Sequence, residues 1–286
     1  MKIIKYFFEF IIIKFFFFIF KIFGYKISST IGEFLGKSFG PIFRSNNKIL
    51  NNLEKSNIGN SNHERNKMIS NMWGNYGRIL SEYIFLNKFK NGELNDHIKI
   101  NGLNNLDKII KEKKPVVFIS GHFNNFELMA MQIEKIGIKI ATIYRPLNNI
   151  FLNFIMENIR TKHICKKQIK KGIGGLKDLL KLNKEGYSTA LMIDQRVSQG
   201  SKLDFFNEKA FTTTIPAQLV KKFNIPVVPI FIERFDGIKF QMKVQKPIYF
   251  PDDCSIDDIT VKLNKILEKM ILESPNYWIW SHNRWK

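Results

Sequence analysis

From residue 115 onward the chain alternates short apolar runs with amphipathic stretches, and this alternation constrains the fold more than any other feature. Val116–Ser120 reads as a buried strand, Ile138–Tyr144 as a second and Ser188–Ile193 as a third. Val227–Phe235 is a fourth, and its Pro229 argues for an edge or a bulge. Between these runs, Phe126, Met129, Ala130, Ile133 and Ile136 share one face of a helix that ends at Gly137. Phe151–Arg160 is helical, and Leu176, Leu179 and Leu180 mark another helix, closed by Gly186. Pro216–Phe223 makes a further helix, with Thr212, Thr213 and Thr214 as candidate caps. Asp236-Gly237 is a hairpin turn into a strand whose Ile238, Phe240, Met242 and Val244 alternate with polar residues. A last helix covers residues 256–273. Strands alternating with helices predict an α/β fold: a mixed, mostly parallel sheet flanked by helices and finished by an antiparallel hairpin.

The N-terminal part is different in kind. Ile3 to Phe23 is dense in Phe and Ile, and as a helix it is roughly 32 Å long, one hydrocarbon thickness. Charges interrupt it at Lys5, Glu9, Lys14 and Lys21. Lys5 and Lys21 can snorkel, whereas a charge at the centre costs roughly 2.5–3.5 kcal/mol. No small-residue cleavage site follows, so an uncleaved membrane helix is expected, either spanning or lying in the interface. The chain thus divides into an anchor, residues 1–26, and one domain, residues 27–286. Residues 27–110 read as mostly helical, with the Asn-rich region 45–62 as a loop. Gly32, Gly36 and Gly40 permit close helix packing, and Met68, Met72, Trp73, Tyr76, Ile79, Leu80 and Tyr83 form a core stripe.

With 286 residues, 44% of them hydrophobic, the chain buries a sizeable core. Cys165 and Cys254 stand far apart and imply no disulfide framework. A formal net charge of +20 suits an anionic membrane, an acidic carrier protein or a phosphorylated substrate, but is equally what a strongly biased genome gives a chain dominated by Lys, Asn, Ile and Phe. The basic residues are dispersed and no nucleic-acid module is present, so no nucleic-acid partner is expected.

The chemistry concentrates at strand ends, where open α/β sheets bind ligands. Gly121-His122-Phe123-Asn124-Asn125-Phe126-Glu127 follows the first buried strand. An imidazole oriented by a carboxylate is a general base. With His122 in the entry turn before the helix, Glu127 is expected to reach back to one ring nitrogen. Arg145 ends the second strand and suits a phosphate or a developing oxyanion. Asp194, Gln195 and Arg196 end the third and are expected to bind substrate. The other histidines form no ligand cluster, so no metal is expected. The segments 204–207 and 210–214 suit either a pocket lining or packing under a loop. The aromatic, basic tail from Trp278 to Lys286 suits either the membrane surface or a cap on the sheet.

Together these blocks resemble the lipid A biosynthesis (late) acyltransferases, the lauroyl/myristoyl type. The resemblance rests on Gly121-His122 with Glu127, on Tyr144-Arg145-Pro146-Leu147-Asn148-Asn149 and on Ile193-Asp194-Gln195-Arg196. Ala210–Thr214, the closing His282-Asn283-Arg284-Trp285-Lys286 and the N-terminal apolar segment agree with it. Asn283 stands where the family often carries a second arginine. The resemblance implies a glycerolipid-acyltransferase-like fold and an enzyme of the bacterial inner membrane with its catalytic domain in the cytoplasm. It implies acyl transfer from acyl carrier protein to a hydroxyl of a hydroxyacyl chain on a lipid A precursor, with no cofactor. A glycerophospholipid or mannoside acyltransferase with the same base, and a non-catalytic basic protein of the membrane surface, are the alternatives.

Overall fold

A computed structural model describes residues 2–286. The first helix, α1 (Lys2–Phe43), leaves helical geometry at Gly24, where φ is 76° and ψ 174°. A glycine takes this conformation without a Cβ clash. Across the break, the Ser28 hydroxyl donates to the Phe20 carbonyl at 2.7 Å. The N-terminal arm of α1 leaves Phe8, Ile12, Phe15 and Phe18 exposed.

One expectation is overturned here. No helix among the described residues is long and apolar enough to cross a membrane. The charges at Lys5, Glu9, Lys14 and Lys21 interrupt the apolar stretch, and Gly24 breaks the helix just beyond it.

Past Gly24, α1 runs against α3 (Asn62–Glu82), and the glycine stripe makes the seam. A Cβ on Gly36 would strike the Trp73 carbonyl, and one on Gly32 would strike the Gly77 carbonyl. Ser61 caps α3 by accepting from the Glu64 N–H at 3.2 Å. The Asn-rich region is not a loop throughout: α2 (Asn46–Lys55) forms because Ile49 and Leu53, four apart, bury one face. The short helices α4 (Leu86–Asn91) and α5 (Asp107–Glu112) flank β1 (Ile98–Asn101).

The remaining elements alternate as expected, except that a strand not anticipated, β4 (Lys167–Lys170), is added: β2 (Val117–Ser120), α6 (Glu127–Lys135), β3 (Ile140–Tyr144), α7 (Ile150–Ile159), then β4, α8 (Ile173–Lys184) and β5 (Ser188–Met192). A separate hairpin, β6 (Ser201–Phe205) with β7 (Glu208–Thr212), precedes α9 (Ile215–Phe223), β8 (Val227–Phe235), β9 (Lys239–Val244) and α10 (Ile256–Glu273). The seven-stranded sheet has the order β1-β9-β8-β2-β5-β3-β4. It is parallel throughout β8-β2-β5-β3-β4, and antiparallel only where β9 meets β8. All of β2 is buried, as its unbroken apolar run requires.

Pro229 is neither at an edge nor in a bulge. It sits inside β8, where the parallel pairing with β2 ends at Ile119 and the antiparallel pairing with β9 begins one residue later. Its carbonyl still accepts from the Gln245 N–H at 3.0 Å. Asp236 and Gly237 both have positive φ, as the tight hairpin between β8 and β9 demands. Ser255 and Asp258 form a reciprocal capping box at the start of α10.

Candidate active site

His122 and Asp194 meet because of strand register. Ser120 on β2 pairs with Met192 on the adjacent parallel β5, and His122 and Asp194 each lie two positions further on. The Ile193 N–H donates to the Ser120 carbonyl at 2.9 Å and extends the pairing to the edge of the site. Asp194 is wholly buried. One of its oxygens lies 2.8 Å from His122 Nδ1, and the other accepts from the His122 backbone N–H at 2.7 Å. The Trp278 indole N–H donates to that second oxygen at 3.0 Å. Gly121 lets the chain pass at this point: a Cβ there would lie 2.8 Å from the Phe123 ring and 3.2 Å from the Asp194 carboxylate.

The pair is electrostatically coupled. Burial alone would lower the imidazole pKa, but the charge and hydrogen bond of Asp194 outweigh it and hold His122 above 6.5. Burial alone would raise the Asp194 pKa, but His122 and the two N–H donors hold the carboxyl below 3.8. With Nδ1–H donated to Asp194, Nε2 is left as the acceptor. The side chain of His122 is 21% exposed and lines a cavity.

The structure brings His122 together with Asp194, not with Glu127. Asn124 takes a left-handed turn, with φ 45°, and α6 starts only at Glu127, whose carboxylate is taken up by Arg160. Phe126 is the neighbour that meets the imidazole, edge to face at 4.8 Å. Glu127 accepts from Arg160 Nε at 2.9 Å and Nη2 at 2.7 Å, and also from the Tyr83 hydroxyl. Arg160 opens a π-helical turn after α7, a distortion frequent at functional sites. Its charge is felt at His122. Arg160 and Trp278 are site residues that sequence reasoning did not single out.

Arg145 leaves the end of β3 exposed and has no carboxylate partner among the described residues. Gln195 is half-buried beside Asp194. Arg196 donates to the Lys286 carbonyl at 2.9 Å and to Ser198, and its guanidinium lies over Phe211. It therefore fastens the tail. The tail caps the sheet: Trp278, Trp280 and Arg284 are buried. Arg284 donates to Phe211 and Thr212 of β7, so the segments 204–207 and 210–214 pack against the tail and α10.

A second buried network fixes the loop that carries His122. Glu82, wholly buried at the end of α3, accepts from Arg234 at 2.6 and 3.1 Å, from Ser29 at 2.7 Å and from Asn125 at 3.0 Å. Asn124 donates to the Ile232 carbonyl at 3.0 Å. Helices α1 and α3, the loop 121–126 and β8 thus hold one another through hydrogen bonds in a dry interior.

Beside the imidazole is a cavity of about 190 Å³. One wall is the face of α3 carrying Met72, Asn75, Tyr76 and Ile79; the other is Tyr277, Trp278 and Ile279, with His122 and Phe126 at one end. The lining is almost entirely apolar. A base held by a buried carboxylate at the carboxyl edge of a parallel sheet, opening on an apolar chamber, is suited to deprotonating a nucleophile next to a hydrocarbon substrate.

The comparisons agree with that class of protein. The bacterial lipid A biosynthesis acyltransferase family matches residues 1–286, and the chain belongs to that family. It is an acyltransferase. The chain is similar to the lipid A biosynthesis lauroyltransferase of Escherichia coli (strain K12), at 26% identity over 92% of this chain and 86% of the relative. The palmitoleoyltransferase of the same organism is 22% identical over 92% of this chain and 86% of its own length. The myristoyltransferase is 22% identical over 89% of this chain and 78% of its own.

Proposed function

We propose that the protein transfers a fatty acyl group from acyl carrier protein to a hydroxyl of a hydroxyacyl chain on a lipid A precursor, at the cytoplasmic face of the bacterial inner membrane. His122 is the general base. The acceptor hydroxyl attacks the thioester carbonyl while His122 Nε2 takes its proton. The tetrahedral intermediate expels the carrier thiolate, and the imidazolium returns the proton to that sulfur. Asp194 keeps the imidazole in the required tautomer and stabilises the imidazolium. No hydroxyl or thiol among the described residues is hydrogen-bonded to His122, so direct transfer fits better than an acyl-enzyme.

Glu127 acts on the base at one remove, adding negative charge nearby and holding Arg160. Arg160 has Nη1 left over from its bonds to Glu127 and Tyr83, and it stabilises the oxyanion. Arg145, exposed at the rim with Gln195 near the pair, receives an anionic group of the substrate. The apolar cavity takes part of an acyl chain. The surplus of basic charge draws in both an acidic carrier and a phosphorylated acceptor.

The observation that carries this reading is the 2.8 Å contact between His122 Nδ1 and Asp194 at the end of an apolar cavity. The test is transfer from acyl-loaded carrier protein to three acceptors side by side: an acylated glucosamine disaccharide, a glycerophospholipid precursor and a mannoside. Only the first should be acylated, and His122→Ala should abolish the reaction in a folded protein. Full activity of His122→Ala removes the mechanism, and acylation of another acceptor removes the substrate assignment.

A further inference from the structure

Asp194 is held on one side by His122 and on the other by Trp278. Trp278 is itself 1% exposed, packs edge to face on Trp280 at 4.5 Å, and lines the apolar cavity. Resting on the reading of His122 as the base, we propose that Trp278 is a positioning residue with two linked roles. Its N–H takes up part of the charge of the Asp194 carboxylate behind the imidazole and so limits how strongly that carboxylate holds the imidazolium, and its ring forms the cavity wall that the acyl chain meets.

Trp280 offers a comparison within the same tail. It is equally buried, but its indole N–H donates to the Pro275 carbonyl at 2.6 Å, it has no bond to Asp194, and it does not line the cavity. Packing alone would make the two tryptophans equivalent; the hydrogen bond and the cavity set Trp278 apart.

The direction of the effect follows from charge. A carboxylate that loses one neutral donor concentrates its charge on the donors that remain. Asp194 keeps both bonds from His122, so in Trp278→Phe it stays in place and holds the imidazolium more strongly. The other charged or titratable groups facing the pair are Glu127 on α6, Arg160 after α7, Tyr76 on α3, and His282 and Arg284 in the tail. The substitution leaves all of them intact.

The experiment is a titration of the His122 imidazole by NMR in the resting full-length protein, in Trp278→Phe and in Trp280→Phe, with His122→Ala to assign the signal. Trp278→Phe should raise the imidazole pKa by roughly half a unit to one unit, the scale of one neutral hydrogen bond. Trp280→Phe should leave it in place. In turnover, Trp278→Phe should also shift relative kcat/KM toward longer acyl donors, because a phenyl ring opens the wall; Trp280→Phe should not. An unmoved or lowered titration in folded Trp278→Phe, or the same shift in both variants, overturns the proposal. The titration needs no substrate, so it is independent of whether His122 proves to be the base.

Discussion

At the scale of single residues, the pair His122–Asp194 fixes how the protein responds to pH. A base must be neutral to accept a proton, and the imidazole pKa lies above 6.5. The transfer rate should therefore rise with pH through an inflection above 6.5. Asp194→Asn keeps the burial but removes the charge, so the inflection should fall below 6.5 and the plateau rate should drop by roughly 10²–10⁴-fold. A pH–rate profile of both proteins checks this. Stability follows the same two shifts. The lowered carboxyl pKa contributes stability that is complete above 3.8 and is lost as pH falls through its native value. The raised imidazole pKa contributes stability that is complete below 6.5 and is lost as pH rises through its native value. Thermal melts should show the widest gap between wild type and Asp194→Asn from about pH 4 to 6.5. The two arginines should separate kinetically. Arg160→Ala should lower kcat by roughly 10²–10³-fold, while Arg145→Ala should mainly raise KM for the acceptor. Of these residues, His122, Asp194 and Arg145 were legible in the sequence, because polar residues that end apolar runs stand out. That Asp194 is the partner of His122 was not, because only the strand order puts β5 next to β2. Arg160 and Trp278 carry no local signature, since each is brought in by tertiary packing.

At the scale of elements, the long apolar strands and their helices were readable because each buries an unbroken run or one periodic face. The pieces missed were short or polar. Strand β4 is Lys-Gln-Ile-Lys, with Ile169 its only buried residue, at the sheet edge. Strand β1 lies at the opposite edge and alternates half-buried with exposed. In the hairpin β6–β7, aromatic and charged residues are mixed in a way that fits no single period. The glycine stripe, in contrast, was legible and makes a sharp prediction. Gly36→Ala forces a methyl group onto the Trp73 carbonyl and should cost about 1–3 kcal/mol, read as a drop in the urea midpoint. The buried Glu82–Arg234 pair is a stricter test of how elements are joined. Glu82→Gln leaves Arg234 charged in a dry site and should cost about 3–5 kcal/mol by the same measurement.

At the scale of the whole molecule, arginine charge is sorted by position. Arg65, Arg78, Arg160 and Arg234 face carboxylates. Arg44, Arg145, Arg196 and Arg284 have no carboxylate side-chain partner among the described residues; Arg284 is buried against β7, whereas Arg145 and Arg196 follow the carboxyl ends of β3 and β5 at the surface. The N-terminal arm adds exposed Phe and Ile on a helix that cannot cross a bilayer. On the proposed reading, surface arginines and an apolar arm give the protein two means of attraction to an anionic lipid surface. The protein should co-sediment with vesicles of anionic lipid, release progressively as salt rises, and bind more weakly when Phe8, Phe15 and Phe18 are replaced by Ser. The tail has a consequence for how the protein can be watched. Of the four tryptophans, Trp278, Trp280 and Trp285 all lie in the closing segment, and Trp278 shares the Asp194 carboxylate with His122. Ultraviolet emission from the unlabelled protein is thus an optical readout of the chamber that Trp278 lines, and filling or emptying it should register as a change in colour and brightness.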